Sequence, residues 1–160
     1  MLTQQRLKEV FSYDEQTGLF TRLLAISRKS KIGAIITTIN RHGYIVLRLD
    51  NELHYCHRLA WLYMFGTYPI SHIDHINGNP SDNRLCNLRD VTQKTNTQNL
   101  HNAHKDNKSG FIGVHKDKKR WGARIHINGK NVSLGNFDTP EEAHAAYIEA
   151  KRAFHDGCSI

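Results

Sequence analysis

Apolar and polar positions divide the first part of the chain into short helices and strands. Apolar residues at helical spacing within residues 3–11 predict an amphipathic helix with Thr3 as its N-cap. An apolar run at residues 57–65 that stops at Gly66 predicts a second helix, whose aromatic side chains we expect in the core. Short segments between turn residues predict strands at residues 19–22, 35–38, 44–49 and 53–56. These strands are expected to form a small antiparallel sheet.

The middle of the chain combines apolar strand patterns with one polar loop. The order strand, loop, strand is predicted for residues 73–76, 77–83 and 85–91. A helix is expected to start behind Thr92, and because residues three apart share a helix face, Asn96 and Asn99 should lie on one side of it. Residues 102–109 are polar and aperiodic, which predicts a linker after a first domain at residues 1–101.

The last third of the chain predicts a three-stranded sheet followed by one helix. Strand patterns occupy residues 112–116, 121–127 and 132–137. The asparagine and glycine at 128–129 suit a tight hairpin turn. Thr139, Pro140 and Glu142 match an N-cap, a first helical residue and a capping box. The apolar stripe that would lie across the sheet consists of Ala143, Ala146, Tyr147, Ala150 and Phe154. All elements together predict an α+β fold with a second domain at residues 110–156.

Charge and cysteine content narrow the partner and the compartment. The 160 residues carry a net charge of +7, with 11 histidines besides and a pI near 9.5, so nucleic acid is favoured over an acidic small molecule as partner. Cys56, Cys86 and Cys158 are odd in number and widely spaced, which excludes a CxxC zinc motif and a disulfide framework. No segment has the apolar length of a signal peptide or a membrane span, so we expect a cytoplasmic protein without a membrane partner.

The segment from Asp74 to Asn96 carries the residue types that phosphodiester hydrolysis requires. The reaction needs a nucleophilic water, charge relief on the phosphate and stabilisation of the departing oxygen, and one divalent cation can supply the last two. Asp74 offers a carboxylate and Asn96 an amide oxygen, which are ligands suited to Mg²⁺ or Mn²⁺. His75 projects from the opposite face of the predicted strand and can act as the base, because histidine is largely neutral at cellular pH.

These residues belong to a wider pattern. It consists of Asp74-His75-Ile76-Asn77-Gly78-Asn79, Asn83, Asn87-Leu88-Arg89 and Thr92-Gln93-Lys94-Thr95-Asn96. The pattern resembles the HNH, or ββα-metal, nucleases, particularly those found as phage and intron-borne homing endonucleases. The resemblance implies a DNA endonuclease of a bacterial or phage-infected cell, with a ββα-metal core at about residues 72–100. It further implies that His75 is the general base, that Asp74 and Asn96 bind one divalent metal, and that Asn87 bonds backbone groups and holds the loop.

Several neighbouring residues offer alternatives. Asn99 lies one helical turn beyond Asn96 and could replace it as a ligand, although the resemblance favours Asn96. Arg84 and Arg89 could clamp phosphate oxygens or serve as structural ions. Four histidines could be drawn as a zinc cluster, namely His54, His57, His72 and His75. No cysteine stands at ligand spacing near them, so we expect packing or surface roles and no structural zinc.

A basic segment lies in the C-terminal part. Residues 105–130 hold eight lysines and arginines against two aspartates, a net charge of +6. A basic three-stranded sheet can track phosphates and has the right size to enter a major groove. The candidate DNA contacts are Lys116, Lys118, Lys119, Arg120, Arg124, His126 and Lys130. Trp121 could equally contact DNA or lie in the core.

The motifs of this region are Gly113-Val114, Trp121-Gly122-Ala123-Arg124-Ile125, Leu134-Gly135-Asn136-Phe137-Asp138-Thr139 and Glu141-Glu142-Ala143-His144-Ala145-Ala146-Tyr147. They resemble the Apetala/ethylene-response-factor DNA-binding domain over roughly residues 109–156, which implies that the sheet binds the major groove. Ile112, His115 and Asp117 stand where that domain favours arginine, and Ser133 stands where it has a DNA-facing tryptophan. The same sequence preference is therefore not implied.

Three functions fit these observations. The first is a metal-dependent endonuclease that nicks or cuts duplex DNA, takes no small-molecule substrate and works as a monomer or homodimer, with the C-terminal module supplying affinity. The second is a DNA-binding regulator with a vestigial nuclease fold, against which the intact Asp74, His75, Asn87 and Asn96 speak. The third, an RNA-binding protein, suits the charge but leaves these four residues unexplained. One such site cuts one strand, so a monomer predicts nicking and a homodimer allows a double-strand break.

Overall fold

The computed structural model describes residues 1–28, 30–101, 103–104 and 106–159. The chain divides into two compact units, Met1–Thr92 and Gln93–Ile160. Helices and small antiparallel sheets occur in both units, so the predicted α+β class is confirmed. Within the described ranges, no helix is both long enough and apolar enough to cross a membrane.

The first unit begins with a helix that runs directly into a hairpin. Its first six elements are α1 Gln4–Val10, β1 Phe11–Asp14, β2 Leu19–Arg22, β3 Val46–Leu49, β4 Glu52–Tyr55 and α2 Cys56–Phe65. The Thr3 hydroxyl accepts a hydrogen bond from the Arg6 N–H, so the predicted N-cap is confirmed. Phe11 ends α1 and opens β1, a strand that the sequence pattern did not predict.

The N-terminal strands pair as two separate hairpins, β1 with β2 and β3 with β4. The strand predicted at residues 35–38 is wrong. Only an isolated bridge joins Ile35 to Thr21, and the Ile36 N–H donates to the Phe20 carbonyl at 2.9 Å. The alternation of this segment is typical of a strand, but the Ile35 side chain is 52% exposed. No buried face therefore fixes a continuous register there.

The core of the first unit lies between the two helices and the hairpins. Its fully buried apolar side chains are Leu7, Val10, Phe11, Leu49, Leu59 and Ala60. α2 ends at Gly66 in the left-handed conformation, as predicted. Trp61 and Tyr63 pack half-buried against the core. Phe65 does not, and its core placement is wrong, because the last turn of α2, including Met64, is exposed to solvent.

The next two strands, β5 His72–His75 and β6 Leu88–Val91, form a third antiparallel pair. Asp74 stands opposite Arg89 in this pair, and His75 stands opposite Leu88. The strand predicted at residues 85–91 is correct only from Leu88, because Leu85–Asn87 forms a 3₁₀ turn. This turn leads the chain from the polar loop into β6.

The second unit consists of one short helix, a three-stranded sheet and a long helix. These elements are α3 Gln93–Gln98, β7 Val114–Asp117, β8 Arg120–Ile127, β9 Lys130–Phe137 and α4 Pro140–Phe154. The sheet is antiparallel in the order β7-β8-β9. Asn128 and Gly129 both have positive φ, 48° and 80°, in the predicted hairpin turn. Thr139 and Glu142 form the predicted capping box of α4.

Helix α4 packs on the sheet through a stripe that departs from the prediction at its end. Ala143, Tyr147 and Ala150 are buried there. Phe154 is 58% exposed, so its place in the stripe is wrong. Lys151, one turn after Tyr147, takes the inward position and donates from Nζ to the Leu100 carbonyl at 2.6 Å.

The domain limits stay predictions. The predicted linker at residues 102–109 includes Asn102 and Lys105, which lie outside the described residues. The two units divide between Thr92 and Gln93, so α3 groups with the second unit although the nuclease domain was predicted to reach residue 101.

Candidate active site

Asp74 and His75 are neighbours at the end of β5, and both are buried although both are polar. Each is only 6% exposed. Successive side chains of a strand point to opposite faces, so the two side chains reach different surroundings. A buried carboxylate beside a buried imidazole needs partners, because burying an unpaired polar group costs free energy. The first unit supplies a separate set of partners to each.

The carboxylate of Asp74 is bound by its cross-strand partner Arg89. The guanidinium donates from Nε at 2.8 Å and from Nη2 at 2.7 Å, both to Oδ2 of Asp74. The antiparallel register of β5 and β6 brings these two residues together. Of the two roles that the sequence left open for Arg89, the structure shows the ionic one.

The imidazole of His75 is held by the amide of Asn83. His75 Nε2 lies 3.2 Å from Asn83 Oδ1, within hydrogen-bond distance, and this bond requires the tautomer that carries the ring proton on Nε2. Asn83 is 1% exposed, and its carbonyl accepts a hydrogen bond from the Tyr13 hydroxyl at 2.7 Å. The Asn83 Nδ2 group is buried without a hydrogen-bond partner among the described residues.

Gly18 fixes the approach of the first hairpin to the same point. Its φ is +74°, and a Cβ there would come within 2.4 Å of the Arg84 nitrogen and 2.5 Å of the Asn83 carbonyl carbon. Only glycine permits this close packing of the turn between β1 and β2 against the backbone that carries Asn83. The β1–β2 hairpin thereby helps to position the partner of His75.

Aromatic rings surround His75 on its other side. The ring of His57 lies 5.1 Å from that of His75 in an edge-to-face arrangement, and the Tyr44 ring lies 5.9 Å from it. Burial lowers the pKa of His75, against the opposing effects of Asn83, Asp74 and Asp82. Burial lowers the pKa of His57 to about 3, with the proximity of His75 acting in the same direction. Both imidazoles are therefore neutral at neutral pH.

Asn87 ties together the two ends of the polar loop. Its Oδ1 accepts from the Asn77 N–H at 3.0 Å, and its Nδ2 donates to the Asp82 carbonyl at 2.8 Å. Its own carbonyl accepts from the Ile76 N–H at 2.9 Å. Asp82 is in turn fixed by Arg84, whose Nη2 donates to Oδ2 at 2.6 Å. The loop between β5 and the 3₁₀ turn is thus held by side chains rather than by a sheet.

Asn96 and Asn99 belong to the second unit. Asn96 lies within α3 and is half-buried, whereas Asn99 follows the last helical residue and is 4% exposed. The Oδ1 atom of Asn99 accepts a hydrogen bond from the Ser159 hydroxyl and lies 3.2 Å from His101 Nε2. The amide oxygen of Asn99 is therefore engaged within its own unit.

The other two histidines of the possible zinc cluster, His54 and His72, have polar neighbours. His54 Nε2 lies 3.8 Å from a Glu52 carboxylate oxygen, and His72 Nδ1 lies 3.2 Å from the Ser71 hydroxyl. Within the part of the chain that the structure describes, no group of three or more His, Cys, Asp or Glu residues is arranged to hold a metal ion. A site here would have to use amide oxygens beside a carboxylate.

The sequence did not identify three residues as neighbours of the His75 ring. Asn83 appeared there as part of a motif without a function, His57 with a packing or surface role, and Tyr44 only as the start of a strand. Their signal is spatial, because each lies far from His75 in the chain or within a loop rich in asparagine.

In the second unit, the basic residues lie on different surfaces of the sheet. Ala123 and Ile125 are buried beneath α4, so Arg124 and His126 lie on the opposite, exposed face of β8. The other candidates are Lys118 and Lys119 in the β7–β8 turn, Arg120 paired with Asp138 at 3.0 Å, and exposed Lys130 at the start of β9.

Trp121 lies on the side of the sheet that faces α4. It is half-buried against the cluster of Val114, Ala123 and Ala143. The Lys116 ammonium stands 4.1 Å from the centre of its ring, a cation–π contact. The structure therefore gives Trp121 a packing role, and it places Lys116 on a different surface from Arg124.

Comparison with known proteins gives two similarities. A family model described as HNH endonuclease matches residues 54–98, from β4 through α3. "Protein 3.8" of Escherichia phage T7 is 31% identical over 102 residues, which cover 62% of this chain and 83% of the phage protein. No solved structure matches. The segment matched by the family model includes Asp74, His75, Asn87 and Asn96.

Proposed function

This chain belongs to the HNH endonuclease family, and we propose that it hydrolyses phosphodiester bonds of duplex DNA with one divalent metal ion, Mg²⁺ or Mn²⁺. The observation that carries the proposal is the buried pair of Asp74 and His75 on β5, in which each side chain has its own partners. Nuclease activity follows from the family, whereas the duplex substrate, the metal and the residue roles are proposed.

His75 is the proposed general base. We assign His75 the tautomer with its proton on Nε2 toward Asn83, in which Nδ1 would accept the proton of the attacking water. Burial supports this role because it lowers the pKa of His75 and keeps the ring in its neutral, proton-accepting form at cellular pH. Asn83 and Asn87 are proposed positioning residues, since one bonds the ring and the other holds the loop that carries Asn83.

Asp74 and Asn96 are the proposed metal ligands. The fit rests on donor chemistry, because a carboxylate and an amide supply the oxygen ligands that Mg²⁺ and Mn²⁺ prefer, and no cysteine accompanies them. A cation bound there would relieve charge on the scissile phosphate and stabilise the departing oxygen. Arg89 balances the charge of the Asp74 carboxylate inside the fold.

The second unit is the proposed DNA-holding module. Support comes from the exposed face of its sheet, where Arg124 and His126 project away from α4, and from the resemblance to the Apetala/ethylene-response-factor domain. Phosphate contacts of this kind supply affinity and register, so we expect modest sequence preference.

A DNA-binding regulator is the second candidate. The observation in its favour is the Arg89–Asp74 ion pair, since a carboxylate already neutralised by a guanidinium has less attraction for a cation. The two candidates differ in one property only, namely catalysis.

A supercoiled plasmid assay separates them. Wild-type protein and His75→Ala are incubated with plasmid in Mg²⁺, in Mn²⁺ and in chelator, while binding is followed by gel retardation. The endonuclease predicts nicked or linear plasmid only with wild type and metal. Intact plasmid in every metal, together with normal retardation, would support the regulator instead.

A further inference from the structure

A cationic pocket in the first unit lies outside the proposed active site. It has a volume of about 760 Å³, and its lining comes from α1, β2, the segment after β2, and the β3–β4 hairpin. Four cationic side chains line it, together with the carboxylate of Asp50; the cations are Arg6, Arg22, Lys31 and Arg48. None of these five residues has a part in the proposed chemistry of Asp74 and His75.

The pocket keeps a positive charge because its one carboxylate is already paired. Arg6 donates to both oxygens of Asp50, at 2.9 and 3.1 Å, and also contacts Glu9 at 3.3 Å. Arg48 donates only to a neutral group, the Asn51 carbonyl, at 3.3 Å. The Lys31 carbonyl accepts from the Ala34 N–H at 3.3 Å, whereas its ammonium forms no hydrogen bond or ion pair with another described residue. The charges of Arg22, Lys31 and Arg48 therefore remain uncompensated.

One donor atom of the Arg22 guanidinium has no hydrogen-bond partner among the described residues. The guanidinium carbon of Arg22 lies over the buried Phe11 ring, 4.7 Å from the ring centre, a cation–π contact. Its Nη1 atom is shielded from solvent and has no hydrogen-bond partner among the described residues. A buried donor without an acceptor costs free energy, and an anionic oxygen would remove that cost.

The rest of the lining suits a tetrahedral oxyanion. The hydroxyls of Ser27 and Ser30 line the pocket and form a hydrogen bond with each other at 2.8 Å, which leaves one of their two protons for a ligand. Leu24 and Ile36 form an apolar part of the wall. Two guanidinium groups and an ammonium supply the donors and the charge that phosphate oxygens require.

We propose that the pocket formed by Arg22, Lys31 and Arg48 binds a phosphate group. If the source is the DNA backbone, the inference rests on the proposed function, and the pocket holds a phosphate of the substrate away from the scissile bond. If the source is a free phosphate, the pocket is a separate anion site. The chemistry of recognition is the same in both cases.

The experiment uses full-length Arg22→Gln and Arg48→Gln, with Arg58→Gln as the matched control. Arg58 is also an arginine over an aromatic ring, 5.8 Å from the centre of Tyr68, but it does not line this pocket. Duplex DNA affinity is measured over a range of salt concentrations, and in a second arm the melting temperature is measured with increasing inorganic phosphate.

A backbone phosphate predicts that each pocket variant loses about one unit of the slope of log affinity against log salt, while Arg58→Gln keeps the wild-type slope. A free phosphate predicts wild-type DNA binding and a phosphate-induced rise in melting temperature that Arg22→Gln loses. Folded pocket variants that match wild type in both arms would overturn the proposal. Plasmid cleavage in parallel distinguishes its failure from that of the endonuclease assignment, because slope changes without cleavage contradict only the latter.

Discussion

Arg89 holds the carboxylate of Asp74 through two N–H donors on a single oxygen, at 2.7 and 2.8 Å. The pair follows directly from the antiparallel register of β5 and β6. Arg89 compensates the buried charge of Asp74, and it also competes with any cation for that charge. The sequence left Arg89 open as a phosphate clamp or a structural ion, and the structure shows it in an ion pair with Asp74.

Replacing Arg89 with glutamine should reduce the Mg²⁺ concentration needed for half-maximal cleavage by about fivefold. The change removes one positive charge beside Asp74, and a partly exposed ion pair of this kind is worth about 1 kcal/mol. Magnesium titrations of the initial cleavage rate measure the midpoint. Arg84→Gln is the matched control, because Arg84 forms a similar pair with Asp82, and it should leave the midpoint unchanged. An unchanged or higher midpoint in Arg89→Gln would contradict the competition.

Asn83 should affect turnover rather than DNA binding. Asn83→Ala removes the acceptor that fixes the ring of His75, so kcat is expected to fall about tenfold or more while KM for DNA stays within about twofold. Asn83→Asp keeps an acceptor oxygen at that place and should recover most of the loss. Steady-state kinetics of both variants provide the measurement. Equal losses in the two variants would point to a general structural defect instead.

The first unit should become less stable as the pH falls below about 6.5, because His57 is buried in its neutral form. Its pKa is about 6.5 when unfolded and about 3 when folded, because burial disfavours the charged ring. Between these values the unfolded state binds more protons, so stability rises with pH and is lost on acidification, by at most about 1.4 kcal/mol per pH unit.

His57→Phe should therefore lose about 2 kcal/mol less than wild type between pH 6.5 and 4.5. Urea unfolding can be followed by Trp61 fluorescence in a Trp121→Phe background, since each unit contains one tryptophan. His42→Gln, at an exposed histidine, is the control and should follow the wild-type pH dependence. Parallel pH profiles for His57→Phe and wild type would contradict the assignment.

The second unit should bind DNA through the sheet face opposite α4. Arg124→Gln is expected to weaken binding and to reduce the salt slope by about one unit. Lys116→Gln removes the same charge from the other side, where the ammonium lies over Trp121, and should have a smaller effect. Fluorescence anisotropy with a labelled duplex at several salt concentrations compares them. A larger effect from Lys116→Gln would assign binding to the opposite face.

The sequence predicted the elements that have strong local signals. These signals are helix caps and a tight turn, each of which depends on residues that are close together in the chain. They are the Thr3 N-cap, the Gly66 C-cap, the 128–129 turn and the Thr139 capping box. The prediction of a strand at residues 35–38 was wrong because alternation of apolar and polar residues does not show whether a neighbouring strand is available for pairing. The prediction that Phe154 packs on the sheet was wrong because helical periodicity does not show where the sheet ends.

The candidate site was predictable to the extent that it lies in a continuous motif. Asp74, His75 and Asn87 stand at recognisable spacing, whereas Asn83 is one of several asparagines in a polar loop until its burial against His75 is known. The pairing of Arg89 with Asp74 could be recognised only once the register of the two strands on either side of that loop was known. The contact of His57 with His75 could be recognised only once the packing of α2 against β5 was known, because these elements are separate in the chain.

Single-turnover cleavage by His75→Ala tests the central claim most directly. Enzyme in excess over a labelled duplex, with saturating Mg²⁺, isolates the chemical step from binding and product release. The account predicts a rate at least about a hundredfold below wild type, because a general base contributes that much or more, with duplex affinity within about twofold. A His75→Ala rate equal to that of wild type under these conditions would contradict the assignment of His75 as the base.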